Sequence, residues 1–411
     1  MRRLLPLAAT ALLAAPAGAE TLVSFQKITL TDKFYSEGAA CADFNRDGAM
    51  DVVAGPFVYL GPDYTKTIEI YPAKPFEKKN YSKNFLCFAS DLNNDSYPDV
   101  LVYGFPGEPA VWYENPKGRE GPWVKRDALP GLDNESPMFG DVDGDGRPDI
   151  VCMHGGALGY AVRDTADPTK PWTFRAVTPP DKKRHRYSHG IGYGDINGDG
   201  KIDLLEQDGW WEQPAAPAAD GLWKPHPFPF APAAAQMLVY DVNGDGKNDV
   251  ITALHCHNYG IAWYEQIPEG GAISFKRHLI VGEKPEDSPY GLRFSQAHAF
   301  DRADFDGDGV LDFVTGKRHW AHGEKGDQEP GAPPVLYWFR IARSPQGVDV
   351  VPHLIDDNSG VGTQVMAADL NGDQVPDIVV ANKTGAYVFL ASRKTVSRAE
   401  WEKAQPKKTG A

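Results

Sequence analysis

The chain has 411 residues, of which 42% are hydrophobic, and it contains 42 Gly and 34 Pro. This composition favours many short strands joined by tight turns over long helices. The formal net charge is −14, and no basic stripe of the kind that nucleic-acid-binding proteins carry is present. We therefore expect no nucleic-acid partner. The four cysteines show no disulfide-framework spacing, so we expect buried free thiols.

The N-terminus has the pattern of a secretory signal peptide. Arg2 and Arg3 precede an apolar stretch over residues 4–16, and small residues at 17–19 follow it. The pattern predicts cleavage after Ala19 and a secreted or periplasmic protein. The apolar stretch is too short to span a bilayer, and no other segment is longer or more apolar, so we expect no membrane insertion.

An aspartate-rich motif, D-x-[DN]-x-D-x-x-x-D, recurs seven times, and successive copies begin 46 to 65 residues apart. The copies are DFNRDGAMD from Asp43, DLNNDSYPD from Asp91, DVDGDGRPD from Asp141, DINGDGKID from Asp195, DVNGDGKND from Asp241, DFDGDGVLD from Asp304 and DLNGDQVPD from Asp369. Seven copies in order are the signature of a repeat architecture.

Each copy has the composition of a calcium loop. Oxygens at positions 1, 3 and 5 of a tight turn point inward, and Gly at position 6 allows the turn, as in the first half of an EF-hand. An apolar strand follows directly, so we expect strand–loop–strand Ca²⁺ sites, with the second and seventh copies degenerate because Ser96 and Gln374 replace the Gly. The predicted ligands are Asp43, Asn45, Asp47, Asp51, Asp91, Asn93, Asp95, Asp99, Asp141, Asp143, Asp145, Asp149, Asp195, Asn197, Asp199, Asp203, Asp241, Asn243, Asp245, Asp249, Asp304, Asp306, Asp308, Asp312, Asp369, Asn371, Asp373 and Asp377.

The elements around the loops predict an all-β, seven-bladed β-propeller. Each repeat has room for four strands, which is the arithmetic of one blade. The last repeat lacks a fourth strand, whereas residues 25–30 resemble one, so we expect the N-terminal strand to close the ring. The predicted domains are a signal peptide over residues 1–19, a propeller over 20–395 and a polar C-terminal tail over 396–411.

On these loops the chain resembles FG-GAP and VCBS repeat proteins over residues 22–392. In propellers of that type the strand before the calcium loop is innermost, and the loop lies on the bottom face. The resemblance therefore implies that positions six residues before each loop, together with the ends of the second strands, meet at the top. The positions six residues before the loops are Glu37, Phe85, Glu135, His189, Ala235, His298 and Thr363.

Many ionisable and aromatic residues map to that top face. The candidate catalytic residues are His189, His298, His255, His257, Lys317, Arg318 and His319. The candidate substrate-binding residues are Glu37, Glu135, His154, Asp208, Trp210 and Trp320. We assign Trp112, Trp211 and Trp263 to the core, and the polar connection over residues 319–334 has the composition of either a lid or a surface insertion.

Two chemistries fit this set of residues. In the first, His255 and His257, on one side of an extended strand, hold Zn²⁺ or another divalent metal together with His189 or His298. In the second, the imidazoles transfer protons directly, and Lys317 and Arg318 stabilise an enolate. Both describe β-elimination on a sugar-like substrate.

Two sequence segments, SHGIGYGDINGDGKIDLL and QAHAFDRADFDGDG, are similar to inner strands of the propeller domain of aldos-2-ulose dehydratases. That resemblance implies a lyase or dehydratase acting on an oxidised or acidic sugar, with His189 and His298 as the positions carried over. The chain has no room for the additional cupin-like domains of those enzymes. The alternative is a non-catalytic module that binds a glycan or a protein.

Overall fold

The computed structural model describes residues 19–119, 121–216 and 221–410. It is an all-β propeller in which twenty-eight strands alternate with tight turns. The predicted signal peptide lies outside the described residues except for Ala19, which begins the first strand. None of the helices in the described ranges is long and apolar enough to cross a membrane.

The described strands form seven runs of four neighbouring strands each, and an Asp-rich loop joins the first and second strand of every run. Five of these runs are separate four-stranded sheets. The first four sheets in chain order comprise β2 to β5 (Ala39–Ala42, Asp51–Ala54, Phe57–Leu60, Lys66–Glu69), β6 to β9 (Leu86–Ser90, Asp99–Tyr103, Ala110–Glu114, Val124–Leu129), β10 to β13 (Asp133–Gly140, Asp149–His154, Ala157–Val162, Thr173–Ala176), and β22 to β25 (Ala297–Ala303, Asp312–Lys317, Leu336–Ser344, Gly347–Asp356). The fifth sheet joins β26 to β28 (Val365–Ala368, Asp377–Asn382, Gly385–Ser397) to β1 (Ala19–Thr31).

The sixth sheet has eight strands, so the prediction of a closed ring of seven separate four-stranded blades is wrong. Its two halves each carry one Asp-rich loop and are joined through their first strands, β14 and β18, which pair in parallel. The halves are β14 to β17 (Ile191–Gly194, Asp203–Glu206, Gly209–Glu212, Lys224–Pro227) and β18 to β21 (Gln236–Tyr240, Asp249–Ala253, Ile261–Glu269, Ala272–Val281).

Glycines in and beside β14 explain why the two halves join. A Cβ at Gly192 would lie 2.6 Å from the carbonyl oxygen of Met237, and one at Gly194 would lie 2.6 Å from the Cβ of Val239. Because these side chains are absent, β14 approaches β18 closely enough for backbone pairing at Ile191 and Gly192. The Gly-x-Gly-x-Gly run at residues 190–194 was visible in the sequence, but its effect on the sheet was not predicted.

The N-terminal strand pairs with the last strand, in agreement with the sequence. β1 runs antiparallel to β28 from Ala19 opposite Ser397 to Thr31 opposite Ala386, and it is the outer strand of that sheet. After β28 the chain enters the short helix α1 (Arg398–Ala404), which is capped by Ser397. The first and last thirds of the chain are thereby joined by backbone hydrogen bonds.

The apolar core is divided into layers between neighbouring four-stranded runs. One layer packs Leu101 of β7 against Ile150 of β11, and another packs Val52 of β3 against Val379 of β27. All four cysteines are free and buried. This layered packing fixes the first strands of the runs side by side, so their ends bring residues from distant repeats together.

Candidate functional site

Three histidines and one glutamate from four different runs converge at the ends of the strands opposite the Asp-rich loops. Glu135 lies on β10, His189 precedes β14, His257 follows β19, and His298 lies on β22. The pairing of β10 and β22 with their neighbours is irregular beside Glu135 and His298. Such bulges re-aim side chains near functional sites.

The polar atoms of these four residues lie within hydrogen-bonding or ion-pair distance. Glu135 Oε2 is 3.3 Å from the Nε2 atom of His298, 3.4 Å from that of His189 and 3.7 Å from that of His257. The Nε2 atoms of His189 and His257 are 2.9 Å apart. His298 is fully buried, and Glu135 is 7% exposed.

This geometry fits a metal ion. Ligand atoms about 2.1 Å from one ion lie roughly 2.9 to 3.4 Å from their neighbours, depending on the coordination angle. Furthermore, Nδ1 of His257 lies 3.7 Å from Oδ1 of Asp327, and a carboxylate behind a ligating histidine is the usual orienting partner. His189, His257, His298 and Glu135 therefore form a candidate divalent-metal centre.

Cys256 faces the same imidazoles. Its thiol and one nitrogen each of His189, His257 and His298 all lie within 4.8 Å of one another. Burial alone would raise the pKa of Cys256, but the charges of His189 and His298 bring it well below the usual value. Burial would likewise raise the pKa of Glu135, yet hydrogen bonds from the three histidines lower it well below its usual range.

A connection between β23 and β24, residues 319–334, covers this cluster. Its Asp327 accepts hydrogen bonds of 2.7 Å from the backbone of Ala321 and from both the backbone and Nδ1 of His322. The carbonyl of Gln328 accepts a hydrogen bond of 2.8 Å from Ser295 Oγ. The segment therefore lies over the site as an ordered cover, and it contributes Asp327 and His322, which the sequence analysis missed.

Three cationic side chains lie buried beside this cover. Arg318 pairs with Glu37 at 2.9 Å, and its Nη1 has no hydrogen-bond partner within the described ranges. Lys317 Nζ donates to the carbonyl of Arg318 at 3.0 Å, and Lys383 Nζ lies 4.5 Å from the centre of the Tyr81 ring. Burial lowers the pKa of both lysines to about 8.

Tyr81 lies between the three cations and the candidate metal centre in its electrostatic surroundings. Burial raises its pKa to about 12, and the charges of Arg318 and Glu135 both act on it. Its ring contacts Phe105, which in turn contacts the exposed ring of Tyr187, two residues before His189. An aromatic row thus runs beside the site, and neither Tyr81 nor Tyr187 was selected from the sequence.

Several predicted site residues lie elsewhere or have other roles. His154 Nδ1 bonds the carbonyl of Gly131 at 2.7 Å, and Asp208 forms an ion pair of 2.7 Å with Lys183. His255 is not grouped with the converging nitrogens, because residues 255–258 form a turn and not the predicted extended strand. In that turn Cys256, rather than His255, faces the cluster together with His257.

The tryptophans at residues 210 and 211 both belong to the packed interior. Trp210, expected at the substrate, is 1% exposed and stacks on His226 with ring centres 3.9 Å apart, because its face of β16 packs into the core. Trp211, expected in the core, is partly buried against the apolar layer that contains Leu204, and it donates to Glu206 at 3.0 Å. Trp320 donates to the carbonyl of Lys78 at 3.0 Å and contacts the ring of His319.

The seven Asp-rich loops share one hydrogen-bond pattern. In every copy the position-1 carboxylate accepts the position-6 N–H, and the position-5 carboxylate accepts the position-7 N–H. Ser96 and Gln374 adopt φ values of 74° and 65°, so the degenerate copies keep the turn. The carboxylates are grouped closely enough for an ion in two copies, at Asp141, Asp143 and Asp149 and at Asp304, Asp306 and Asp308.

The position-9 aspartates are buried and already hydrogen-bonded. In all seven copies one oxygen accepts the position-2 N–H, and in six the other accepts an N–H from the third strand or the residue after it. Burial raises the pKa of Asp203 to about 6 and that of Asp99 to about 7. These carboxylates therefore fasten the loop to its sheet.

Comparison with known proteins identifies the repeat. Residues 91–152, 241–315 and 304–380 match the model of the FG-GAP-like repeat. No curated protein matches the sequence.

Three solved structures are partly similar to this chain. The rhamnogalacturonan lyase YesW is 13% identical with a TM-score of 0.42, covering 90% of this chain and 72% of that one. An Agrocybe aegerita lectin that recognises non-reducing terminal N-acetylglucosamine is 17% identical with a TM-score of 0.35, covering 94% and 84%. The Photorhabdus luminescens Tc holotoxin pore is 17% identical with a TM-score of 0.37, covering 74% of this chain but 14% of that one.

With TM-scores below 0.5, these similarities carry no information on the substrate of this chain. The matched segments and the sheet topology together show that the chain carries FG-GAP-like repeats on an all-β propeller.

Proposed function

We propose that this protein is a metal-dependent carbohydrate lyase or dehydratase that performs β-elimination on an oxidised or acidic sugar. The observation that carries the proposal is the convergence of three imidazole nitrogens on Glu135, with two of those nitrogens 2.9 Å apart. A divalent metal bound there would act as a Lewis acid toward the carbonyl group of the substrate.

The base that removes the α-proton is assigned to His322. Its Nδ1 donates to Asp327, which leaves Nε2 free to accept a proton when the ring is neutral. The His322 side chain is 51% exposed, and its ring centre lies 4.7 Å from that of His257. An aspartate that fixes the tautomer of an exposed histidine is the arrangement of a general base.

The buried cations favour a substrate that is or becomes negatively charged. Lys317 and Lys383 form no ion pair within the described ranges, and one guanidinium nitrogen of Arg318 has no partner. Elimination next to a carbonyl or carboxyl group develops enolate charge, which preorganised cations stabilise. The Cβ–O bond then breaks as the C=C bond forms, and the departing oxygen takes the proton that His322 removed. Because the segment over residues 319–334 covers these groups, substrate entry requires that segment to move.

The aromatic row supplies a surface for the sugar ring. Tyr187 is 48% exposed, and Phe105 and Tyr81 continue from it toward Lys383. Aromatic faces next to polar groups suit the apolar CH faces of sugars. We therefore place the sugar against Tyr187, with its oxidised carbon directed toward Glu135 and the metal.

We also propose that the Asp-rich loops bind Ca²⁺ and that the protein is exported. The loop oxygens are hard ligands of the type that Ca²⁺ prefers. They are grouped at positions 1, 3 and 9 of the third copy and at positions 1, 3 and 5 of the sixth. Extracellular modules bind Ca²⁺ at about 10⁻⁴ to 10⁻³ M. The N-terminal sequence pattern is compatible with such a compartment.

The test is to purify the full chain, measure bound metals by mass spectrometry, and follow unsaturated products from oxidised sugars and uronides by ultraviolet absorbance. We expect one transition metal per chain, loss of turnover after chelation, and recovery when that metal is restored. Tight sugar binding without turnover in the metal-loaded protein would contradict the enzymatic proposal and support a binding module.

A further inference from the structure

We infer that Cys256 is a thiolate ligand of the proposed metal centre, so that the resident metal is a borderline or soft transition metal such as Zn²⁺. This inference rests on the proposed function because it assumes that the centre binds metal. It adds a ligand that the repeat pattern did not indicate and restricts the class of metal. Thiolate ligands select Zn²⁺ and other borderline or soft metals, whereas Ca²⁺ and Mg²⁺ prefer oxygen.

The distances in the cluster suit one ion with nitrogen and sulfur ligands. The Cys256 thiol and the nitrogens of His189, His257 and His298 are mutually within 4.8 Å. Ligands on opposite sides of an ion lie about 4.4 Å apart when the metal–sulfur distance is about 2.3 Å and the metal–nitrogen distance about 2.1 Å. All four atoms can therefore contact a common ion after small side-chain adjustments.

The backbone explains why Cys256 has this orientation. Its N–H donates to the carbonyl of Ala233 at 2.8 Å, and the N–H of Asn258 donates to the carbonyl of His255 at 2.9 Å. These bonds fix a turn in which consecutive residues 256 and 257 can both face the cluster. An extended strand would have sent their side chains to opposite faces.

The other cysteines show that burial alone does not explain this environment. Cys87, Cys152 and Cys256 are equally buried, and each belongs to an apolar layer of the core. Neither Cys87 nor Cys152 belongs to a group of potential metal ligands within the described ranges. Cys152 is therefore a matched control: a buried thiol of equal exposure that lies outside every group of potential ligands among the described residues.

The two ends of the strands offer ligands that suit different metals. Three imidazoles and a thiolate would supply four protein ligands, so the substrate carbonyl would enter as a fifth ligand, and Glu135 is then a hydrogen-bonding partner close to the ion. The Asp-rich loops offer only oxygen. We therefore expect Ca²⁺ to leave the histidine–cysteine site free and Zn²⁺ to occupy it.

The experiment loads the metal-free full chain with Co²⁺ and records its absorption spectrum for the wild type, Cys256→Ser and Cys152→Ser. We expect visible d–d bands and a near-ultraviolet thiolate-to-cobalt charge-transfer band in the wild type and in Cys152→Ser. Cys256→Ser should lose the charge-transfer band and bind Zn²⁺ more than about 10-fold more weakly, since loss even of outer-shell partners has that effect.

The outcomes separate this inference from the proposed function. Bound Co²⁺ with d–d bands but no charge-transfer band in the wild type overturns the role of Cys256 and leaves the metal centre intact. Absence of Co²⁺ binding overturns both. If Cys256→Ser does not fold, X-ray absorption of the Zn²⁺-loaded wild type decides the question, because a sulfur ligand at about 2.3 Å supports the inference and a shell of nitrogen and oxygen alone contradicts it.

Discussion

The two ends of the first strand of each four-stranded run differ in how far their residues repeat. At the loop end, the position-1 aspartate of all seven repeats accepts the position-6 N–H, whether or not Gly occupies position 6. At the other end, the position six residues before each loop is occupied by five different residue types, from buried Phe85 to the site residues Glu135, His189 and His298. The repeated residues therefore build the scaffold, whereas residues that depart from the repeat build the candidate site.

The largest expected effect is at the variable end. His189→Ala removes one imidazole from the centre, and we expect turnover on the active sugar to fall by roughly 10² to 10⁴, the usual weight of an essential catalytic group. Bound transition metal should fall in parallel, while the thermal melt of the metal-free protein should change little, because the hydrogen-bonding partners of His189 are the site residues His257 and Glu135.

The control for this variant is His278→Ala. His278 lies on the outer strand β21, where it stacks on Trp263 and hydrogen-bonds Glu265. Its replacement therefore removes a histidine that is distant from the candidate metal centre. The variant should keep both metal and turnover. Full metal content and activity in His189→Ala would show that the convergence of imidazoles is only structural.

The second largest effect is a loss of stability when the position-9 aspartate of an Asp-rich loop is changed. Asp203→Asn places an amide where one carboxylate accepts the N–H groups of Ile196 and Gln213, so one donor must face another donor. We expect the free energy of unfolding to fall by about 2 to 4 kcal/mol, because a buried donor then loses a charged acceptor. Urea denaturation of metal-free protein measures the loss.

Asp199→Asn in the same loop is the matched comparison. Asp199 is exposed and bonds only within the loop and to Lys201, and exposed ion pairs contribute little to stability. Its cost in metal-free protein should be below about 1 kcal/mol. Equal losses in the two variants would contradict the structural role assigned to position 9.

The repeat periodicity explains which parts of the site the sequence could indicate. Glu135, His189 and His298 share one offset from their loops, so they could be selected together from the sequence. Asp327 and His322 lie in a connection of unrepeated sequence, and Cys256 depends on a turn fixed by Ala233. Long-range contacts of this kind leave no periodic signal.

Features of the fold that depend on nearby sequence could also be predicted, whereas those that depend on distant contacts could not. The four-strand order of each run and the pairing of β1 with β28 follow from motif spacing and from the missing fourth strand of the last repeat. The joining of β14 to β18 depends on how closely two backbones approach at Gly192 and Gly194. The glycines are visible in the sequence, but the neighbour that fills their space is not.

The smallest expected effect is the change in stability that pH and Ca²⁺ cause through the Asp-rich loops. Burial raises the folded-state pKa of Asp51, Asp203, Asp249 and Asp377 to about 6, above the unfolded value of about 3.9. The folded chain then binds more protons than the unfolded chain between pH 4 and 6, so the stability of metal-free protein should decrease as pH rises through that window.

Calcium should weaken this dependence. The aspartates at positions 1 and 5 repel the position-9 carboxylate, as Asp195 and Asp199 do for Asp203, and a bound cation removes that repulsion. We expect resin-stripped protein to lose more stability between pH 4.5 and 6.5, measured as the urea midpoint, in NaCl than in CaCl₂ of equal ionic strength. Ca²⁺ should also raise the midpoint at pH 6.5 in wild type more than in Asp199→Asn. Identical slopes in the two salts would mean that the invariant loops stabilise the sheets through hydrogen bonds alone, without Ca²⁺.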